Sequence, residues 1–83
     1  MDKRISVISI IVEDTSAAGE INDLLHQFGD YIIGRMGIPY RERGISIICV
    51  VLEAPGDITS SLSGKLGMIK GVSVKTVTSR TRV

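Results

Sequence analysis

Few side chains of this sequence could carry covalent catalysis, because it has one histidine, His26, and one cysteine, Cys49. A thiol nucleophile needs an adjacent base and a group that orients the base. Cys49 lies inside an apolar run that predicts a strand, where cysteine behaves as a small hydrophobic side chain. His26 falls on the polar side of a predicted helix, near its C-terminal end, where it complements the helix dipole. The residues therefore predict no catalytic residue and a protein that is not an enzyme. A Cys49–His26 pair is the rival hypothesis.

Metal and phosphate sites are disfavoured by the residue spacing. Zinc is bound by four nitrogen or sulfur ligands, and the sequence contains neither C-x-x-C nor H-x-H. The glycines Gly64, Gly67 and Gly71 do not form a phosphate-binding loop, because no G-x-x-x-x-G-K-[ST] pattern follows a strand. We expect no metal and no cofactor.

Three arginines, Arg35, Arg41 and Arg43, lie in or near a predicted hairpin. A guanidinium can bind a carboxylate or a phosphate through two parallel hydrogen bonds. These side chains are therefore a candidate anion contact. The alternative is that they solvate an edge strand and oppose its pairing with another chain.

Charge and composition exclude several classes of partner. Ten Lys and Arg against nine Asp and Glu leave a net charge of +1, which is too small to attract nucleic acid or an anionic membrane. The apolar run after Lys3 and Arg4 contains two serines and reaches Glu13 too early for a signal peptide or a membrane span. With a single cysteine, these features predict a cytoplasmic protein without direct DNA binding and without membrane contact.

Runs of Ile and Val predict four strands that must position any site. The second run carries two glycines and is followed at once by Pro39, which favours an edge position. The strands are expected at 5–12, 31–38, 45–52 and 72–77. At 83 residues the chain predicts one domain, with a core at about 4–78 and a polar, flexible tail at 79–83.

Helical spacing of apolar residues predicts two helices between the strands. The first is expected to start at capping residues around Asp14 and to end at a left-handed Gly29. The second is expected to start at an Asp57 cap and to end near Gly67.

This order of elements predicts an α+β fold of the ferredoxin-like βαββαβ type. Its four-stranded antiparallel sheet would have strands one and three in the centre and both helices on one face. The other face would expose roughly five or six aliphatic side chains, each costing on the order of 1.5–3 kcal/mol relative to burial. We therefore expect a homo-oligomer, a dimer or a tetramer, that covers this face.

Five segments carry a resemblance to a known family. They are I-I-V-E-D, I-N-D-L-L-H-Q-F, G-I-P-Y-R-E, I-S-I-I-C-V-V-L and, most specifically, L-S-G-K-L-G-M-I-K-G-V-S-V-K-T-V. The sequence resembles the iron-only hydrogenase system regulators, which are ACT-like domains related to the C-terminal domain of the nickel-responsive repressor. The resemblance implies a non-catalytic module that takes part in regulating hydrogenase genes or assembly.

The nickel site of the repressor does not carry over to this sequence. The histidine that closes the first helix of the repressor domain matches His26. Its H-x-H pair falls on Gly37 and Pro39, which cannot ligate through their side chains, and its cysteine falls near Ile45. The resemblance therefore implies no nickel site of that type.

ACT domains bind amino acids near the first strand-to-helix turn, which here comprises Asp14, Thr15, Ser16 and Ala17. The resemblance implies that backbone N–H groups at the helix start would hold a carboxylate, while Asp14 and Thr15 would meet an amine or a hydroxyl. The function expected is regulation by self-association and by binding a small effector, such as an amino acid, or a protein. The alternative is a structural protein-interaction domain with no effector.

Overall fold

The computed structural model describes residues 2–82, and all of the described residues except Arg82 have described side chains. Four strands and two helices form the fold. They are β1 (Lys3–Val12), α1 (Ala18–Gln27), β2 (Ile32–Tyr40), β3 (Ile45–Pro55), α2 (Gly56–Gly67) and β4 (Val72–Arg82). Short 3-10 turns at Thr15–Ala17, Gly29–Tyr31 and Arg41–Arg43 join them. The antiparallel sheet has the order β2-β3-β1-β4, which confirms the predicted ferredoxin-like topology and its two central strands.

One face of the sheet packs against both helices and forms the core. Alternate residues of β1 and β3 point to this face, and Ile8, Ile10, Val50 and Leu52 are fully buried there. The helices add apolar side chains at helical spacing. The core comprises Ile8, Ile10, Val12, Ala17, Ile21, Leu25, Val50, Leu52, Ala54, Leu62, Leu66 and Ile69.

The opposite face of the sheet, the helix-free face, is formed by the intervening residues of each strand. The strand register aligns these residues in three rows across the sheet. One row has Gly34, Val51, Val7 and Val77; the next has Met36, Cys49, Ser9 and Lys75; the third has Ile38, Ile47, Ile11 and Ser73. The same face continues to Tyr40 and Ile45 at one end and to Ile5 and Glu53 at the other. Lys75 within the three rows and Glu53 beyond them are charged, and the centre of the face is mostly apolar.

The turn between α2 and β4 packs directly on the turn after β1. The Gly71 carbonyl accepts hydrogen bonds from the N–H groups of Glu13 at 2.8 Å and Asp14 at 3.2 Å. Gly71 has φ of 81°, and a Cβ there would lie 2.5 Å from the Cβ of Asp14. Glycine is therefore required here by both conformation and space.

Two predictions at the helix ends are wrong. Gly29 is not left-handed, because the positive-φ residues among the described glycines are Gly44 and Gly71. The chain instead leaves α1 through the 3-10 turn Gly29–Tyr31. α2 begins at Gly56, immediately after Pro55, without a side-chain cap. Asp57 therefore lies in the first turn, where its charge still complements the helix dipole.

The predicted tail is also wrong as far as the structure describes it. Residues 79–82 extend β4, and Arg82 lies opposite Arg4 of β1. Arg80 and Thr81 are exposed in this edge strand, so polar composition alone did not reveal the strand. Val83 lies outside the described residues.

Candidate functional site

A cavity of about 280 Å³ opens between the start of α1 and the edge strand β2. The end of β1, the turn that follows it, α1, β2 and the start of β3 all contribute to its wall. The lining residues are Val12, Thr15, Ala18, Asn22, Arg35, Gly37, Ile38, Pro39, Ser46 and Ile48. Four of these side chains are polar or charged, and the remainder are apolar or glycine, as is usual for small-molecule sites.

A β-bulge places Arg35 at this cavity. Ile32 pairs with Leu52, but Gly34 pairs with Val51, so one extra residue lies in β2 between these pairs. Arg35 consequently pairs with Val50 and points to the helix-covered side. In an unbroken register it would point to the helix-free face. Bulges commonly redirect side chains in this way.

Arg35 is held toward the cavity by α1. Its Nη2 donates a hydrogen bond of 2.8 Å to Oδ1 of Asn22. The remaining guanidinium N–H groups offer further donors. The hydroxyls of Thr15 and Ser46 line the same cavity. The site therefore combines one cation with two hydroxyl groups.

Several polar groups of the turn predicted to bind an effector already form hydrogen bonds within that turn. Oδ1 of Asp14 accepts hydrogen bonds from the N–H of Ser16 at 3.0 Å and from its hydroxyl at 2.7 Å. The hydroxyl bond lowers the pKa of Asp14, with smaller contributions from the backbone bond and from Lys70. Ala17 is buried in the core, and its N–H donates to the carbonyl of Asp14. Thr15 is the one residue of the predicted set that lines the cavity.

The three predicted anion contacts are not together. Arg35 lines the cavity, whereas Arg41 and Arg43 are exposed in the 3-10 turn between β2 and β3 and do not line it. Sequence reasoning missed Asn22 and Ser46, which carry no distinctive motif. A signal for Arg35 was present in Gly34, since a glycine inside a strand indicates a bulge.

The rival pair His26 and Cys49 lies on opposite sides of the sheet. His26 is exposed on α1, which packs on the helix-covered face, whereas Cys49 pairs with Ser9 and Met36 on the helix-free face. The imidazole therefore cannot activate this thiol within one chain.

Within residues 2–82, no three His, Cys, Asp or Glu side chains cluster as metal ligands. No helix in the described part of the chain is long and apolar enough to cross a membrane.

The sheet order and the placement of both helices define an α+β ferredoxin-like domain. A family model described as "TM1266-like: Iron-only hydrogenase system regulator, putative" matches residues 4–76. The chain therefore belongs to this family, which confirms the resemblance found in the sequence.

Solved structures agree with this assignment. TM1266 from Thermotoga maritima is 44% identical, with a TM-score of 0.87 over 92% of this chain and 96% of that one. A formyltetrahydrofolate deformylase from Pseudomonas putida KT2440 is 13% identical, with a TM-score of 0.64 over 88% of this chain and 28% of the enzyme. CPII from Thiomonas intermedia K12, a nitrogen regulatory PII-like protein bound to ADP, AMP and bicarbonate, is 15% identical, with a TM-score of 0.55 over 95% of this chain and 99% of that one. The latter two share the fold alone. No curated protein is similar enough to match the chain.

Proposed function

We propose that this protein is a non-catalytic regulatory module of the iron-only hydrogenase system. It self-associates through the helix-free face and responds to a small effector or to a protein partner. Membership of the regulator family supports the regulatory role. The apolar character of the helix-free face is the observation that carries the self-association.

Six large apolar side chains of this face remain between 38% and 69% exposed. They are Ile11, Met36, Ile38, Tyr40, Ile47 and Val77. Contiguous apolar patches are uncommon on monomeric proteins and mark interaction sites. Covering these side chains in two copies would contribute about 9–18 kcal/mol of apolar transfer. This transfer free energy is of the same order as the roughly 4–15 kcal/mol that association costs in lost translational and rotational freedom.

A second copy of the chain suits this face better than a charged partner. Lys75, in the edge strand β4, is the one charged residue in its three central rows, and Glu53 lies in the adjoining row. An isologous interface, in which the same patch meets itself, needs no charge complementarity. The face therefore presents mainly apolar contacts to its own copy.

The oligomeric state tests this proposal. Light scattering coupled to size exclusion at micromolar protein should give a mass of at least two chains. Ile11→Lys places a charge on the central strand β1, among the apolar side chains of the third row, and should shift the mass to that of one chain. Met68→Lys is the control, because Met68 is 86% exposed at the end of α2, away from this face.

The native thiol of Cys49 gives a second measurement. Cys49 lies in the central row of the helix-free face and is the only cysteine. A covered face should slow its reaction with a thiol reagent, and Ile11→Lys should accelerate it. A monomeric wild-type protein with a freely reactive Cys49 would refute self-association through this face.

A protein-interaction domain with no effector is the second candidate function. Both candidate functions involve the same oligomer. Only the regulatory module binds an effector in the cavity beside Arg35. They are therefore distinguished by ligand binding and not by assembly.

A further inference from the structure

We propose that the cavity between α1 and β2 binds a small monocarboxylate with a compact aliphatic body and no ammonium group. The inference rests on the proposed regulatory function and names the class of its effector. Arg35 is the residue that recognises the carboxylate.

The charges around the cavity select a ligand with one negative charge. Arg35 is the one cation among the described lining residues, and none of those residues is acidic. A single guanidinium matches a single carboxylate through paired hydrogen bonds, whereas a phosphate brings up to two negative charges at neutral pH. An ammonium group would find no carboxylate partner among the described lining residues. The sequence-based expectation of an amino acid is therefore narrowed to an acid without an amine.

Two backbone N–H groups in the turn before α1 are not free to bind an anion. The N–H groups of Ser16 and Ala17 already donate to the side chain and the carbonyl of Asp14. Recognition of the carboxylate is assigned to Arg35, the one cation among the described lining residues, which the β2 bulge and Asn22 hold at the cavity.

The size and walls of the cavity select a short aliphatic body. The cavity is open to solvent, and its volume of about 280 Å³ is near the lower end of the roughly 300–1,000 Å³ typical of ligand pockets. The side chains of Val12, Pro39 and Ile48 supply apolar wall. Gly37 leaves room, because a Cβ built on it meets no atom within 4 Å. The hydroxyls of Thr15 and Ser46 are placed to bond a carboxylate oxygen or a neighbouring polar substituent.

Isovalerate is the probe for this site. Two-dimensional NMR of isotope-labelled protein, titrated to about 20 mM ligand, would detect binding in the millimolar range. Isovalerate should shift the amide signals of Thr15 and Gly37. Isovaleramide has the same shape without the charge, valine adds the ammonium group, and inorganic phosphate adds charge without the aliphatic body. Each of these three should bind at least about tenfold more weakly.

Two variants test the site and a third is the matched control. Arg35→Gln removes the cation and should weaken isovalerate binding at least about tenfold. Gly37→Val fills the cavity with a residue that suits a strand, so the fold is retained while binding is lost. Arg43→Gln removes an exposed arginine that does not line the cavity and should leave binding unchanged. Spectral dispersion of each variant confirms that it is folded.

The results separate this inference from the proposed function. No shift with isovalerate, or shifts that persist in both Arg35→Gln and Gly37→Val, would overturn the ligand assignment. Tighter binding of valine or phosphate at the same signals would overturn the charge argument. If the wild-type protein is oligomeric in either case, self-association stands and the effector-free interaction domain is favoured.

Discussion

The carboxylate of Asp14 accepts both the N–H and the hydroxyl of Ser16, which lies two residues further on. Asp is favoured before a helix because its side chain satisfies N–H groups that lack helical partners. The resemblance to ACT domains implied instead that Asp14 would meet an amine or a hydroxyl of a ligand. The structure places this group in a local capping interaction, and the cation of the site comes from β2.

Replacing Ser16 tests how strongly this interaction stabilises the ionised Asp14. Ser16→Ala removes the hydroxyl bond, which is the largest cause of the lowered pKa of Asp14, and should raise that pKa toward its ordinary value. NMR titration of the carboxyl carbon measures it. Ser60→Ala, on the exposed side of α2, is the control and should leave the pKa unchanged.

The Ser16→Ala substitution should also change how the stability of the protein depends on pH. The pKa of Asp14 is lower in the folded than in the unfolded chain, so its stabilising contribution is present above about pH 4. That contribution is lost as pH falls through the folded pKa. Wild-type protein should therefore lose more stability than Ser16→Ala on acidification below about pH 4. Identical acid dependence in the two proteins would contradict a role for this hydroxyl.

At the scale of elements, apolar patterning predicted the sheet well. The two runs rich in Ile and Val became the central strands, and the run with glycine and Pro39 became an edge. Patterning failed where packing decides the outcome. Residues 79–82 are polar yet continue β4, and Arg82 pairs with Arg4 of β1 beyond a register shift that follows the Thr78–Ser6 pair. The candidate site was predicted only in part, since the side to which Arg35 points depends on a one-residue bulge that alternation cannot specify.

The contact between the two inter-element turns should be sensitive to a single methyl group. Gly71→Ala forces a non-glycine residue to φ of 81° and brings its Cβ to 2.5 Å from that of Asp14. We expect the free energy of unfolding to fall by about 1–3 kcal/mol or more. Chemical denaturation measures the change.

Gly64→Ala is the matched control for this substitution. Gly64 lies inside α2 without a positive φ, and a Cβ there meets no atom within 4 Å. Alanine should therefore stabilise the helix by about 0.5–1 kcal/mol. Equal effects of the two substitutions on the free energy of unfolding would show that the contact between the two turns does not contribute to stability.

At the scale of the whole molecule, the sheet separates two surfaces. The cavity with Arg35 opens on the helix-covered side, whereas the helix-free face lies on the other side. Ile38, in the edge strand β2, lines the cavity and belongs to the third row of the helix-free face. A ligand in the cavity and a copy on the helix-free face would therefore meet at β2, which gives the edge strand the position to couple effector binding to assembly.

Assembly through the helix-free face should make the thermal stability depend on protein concentration. Since a partner that binds only folded chains stabilises them by mass action, a rise of about a hundredfold in concentration should raise the unfolding midpoint of a dimer by about 5–10 °C. Ile11→Lys should remove this dependence, because its charge cannot be covered by a second apolar face without a large desolvation cost. Met68→Lys should retain it. A midpoint for the wild-type protein that is constant over this range, measured by differential scanning calorimetry, would mean that the exposed apolar rows do not assemble two copies, and the regulatory signal would then have to pass through another partner.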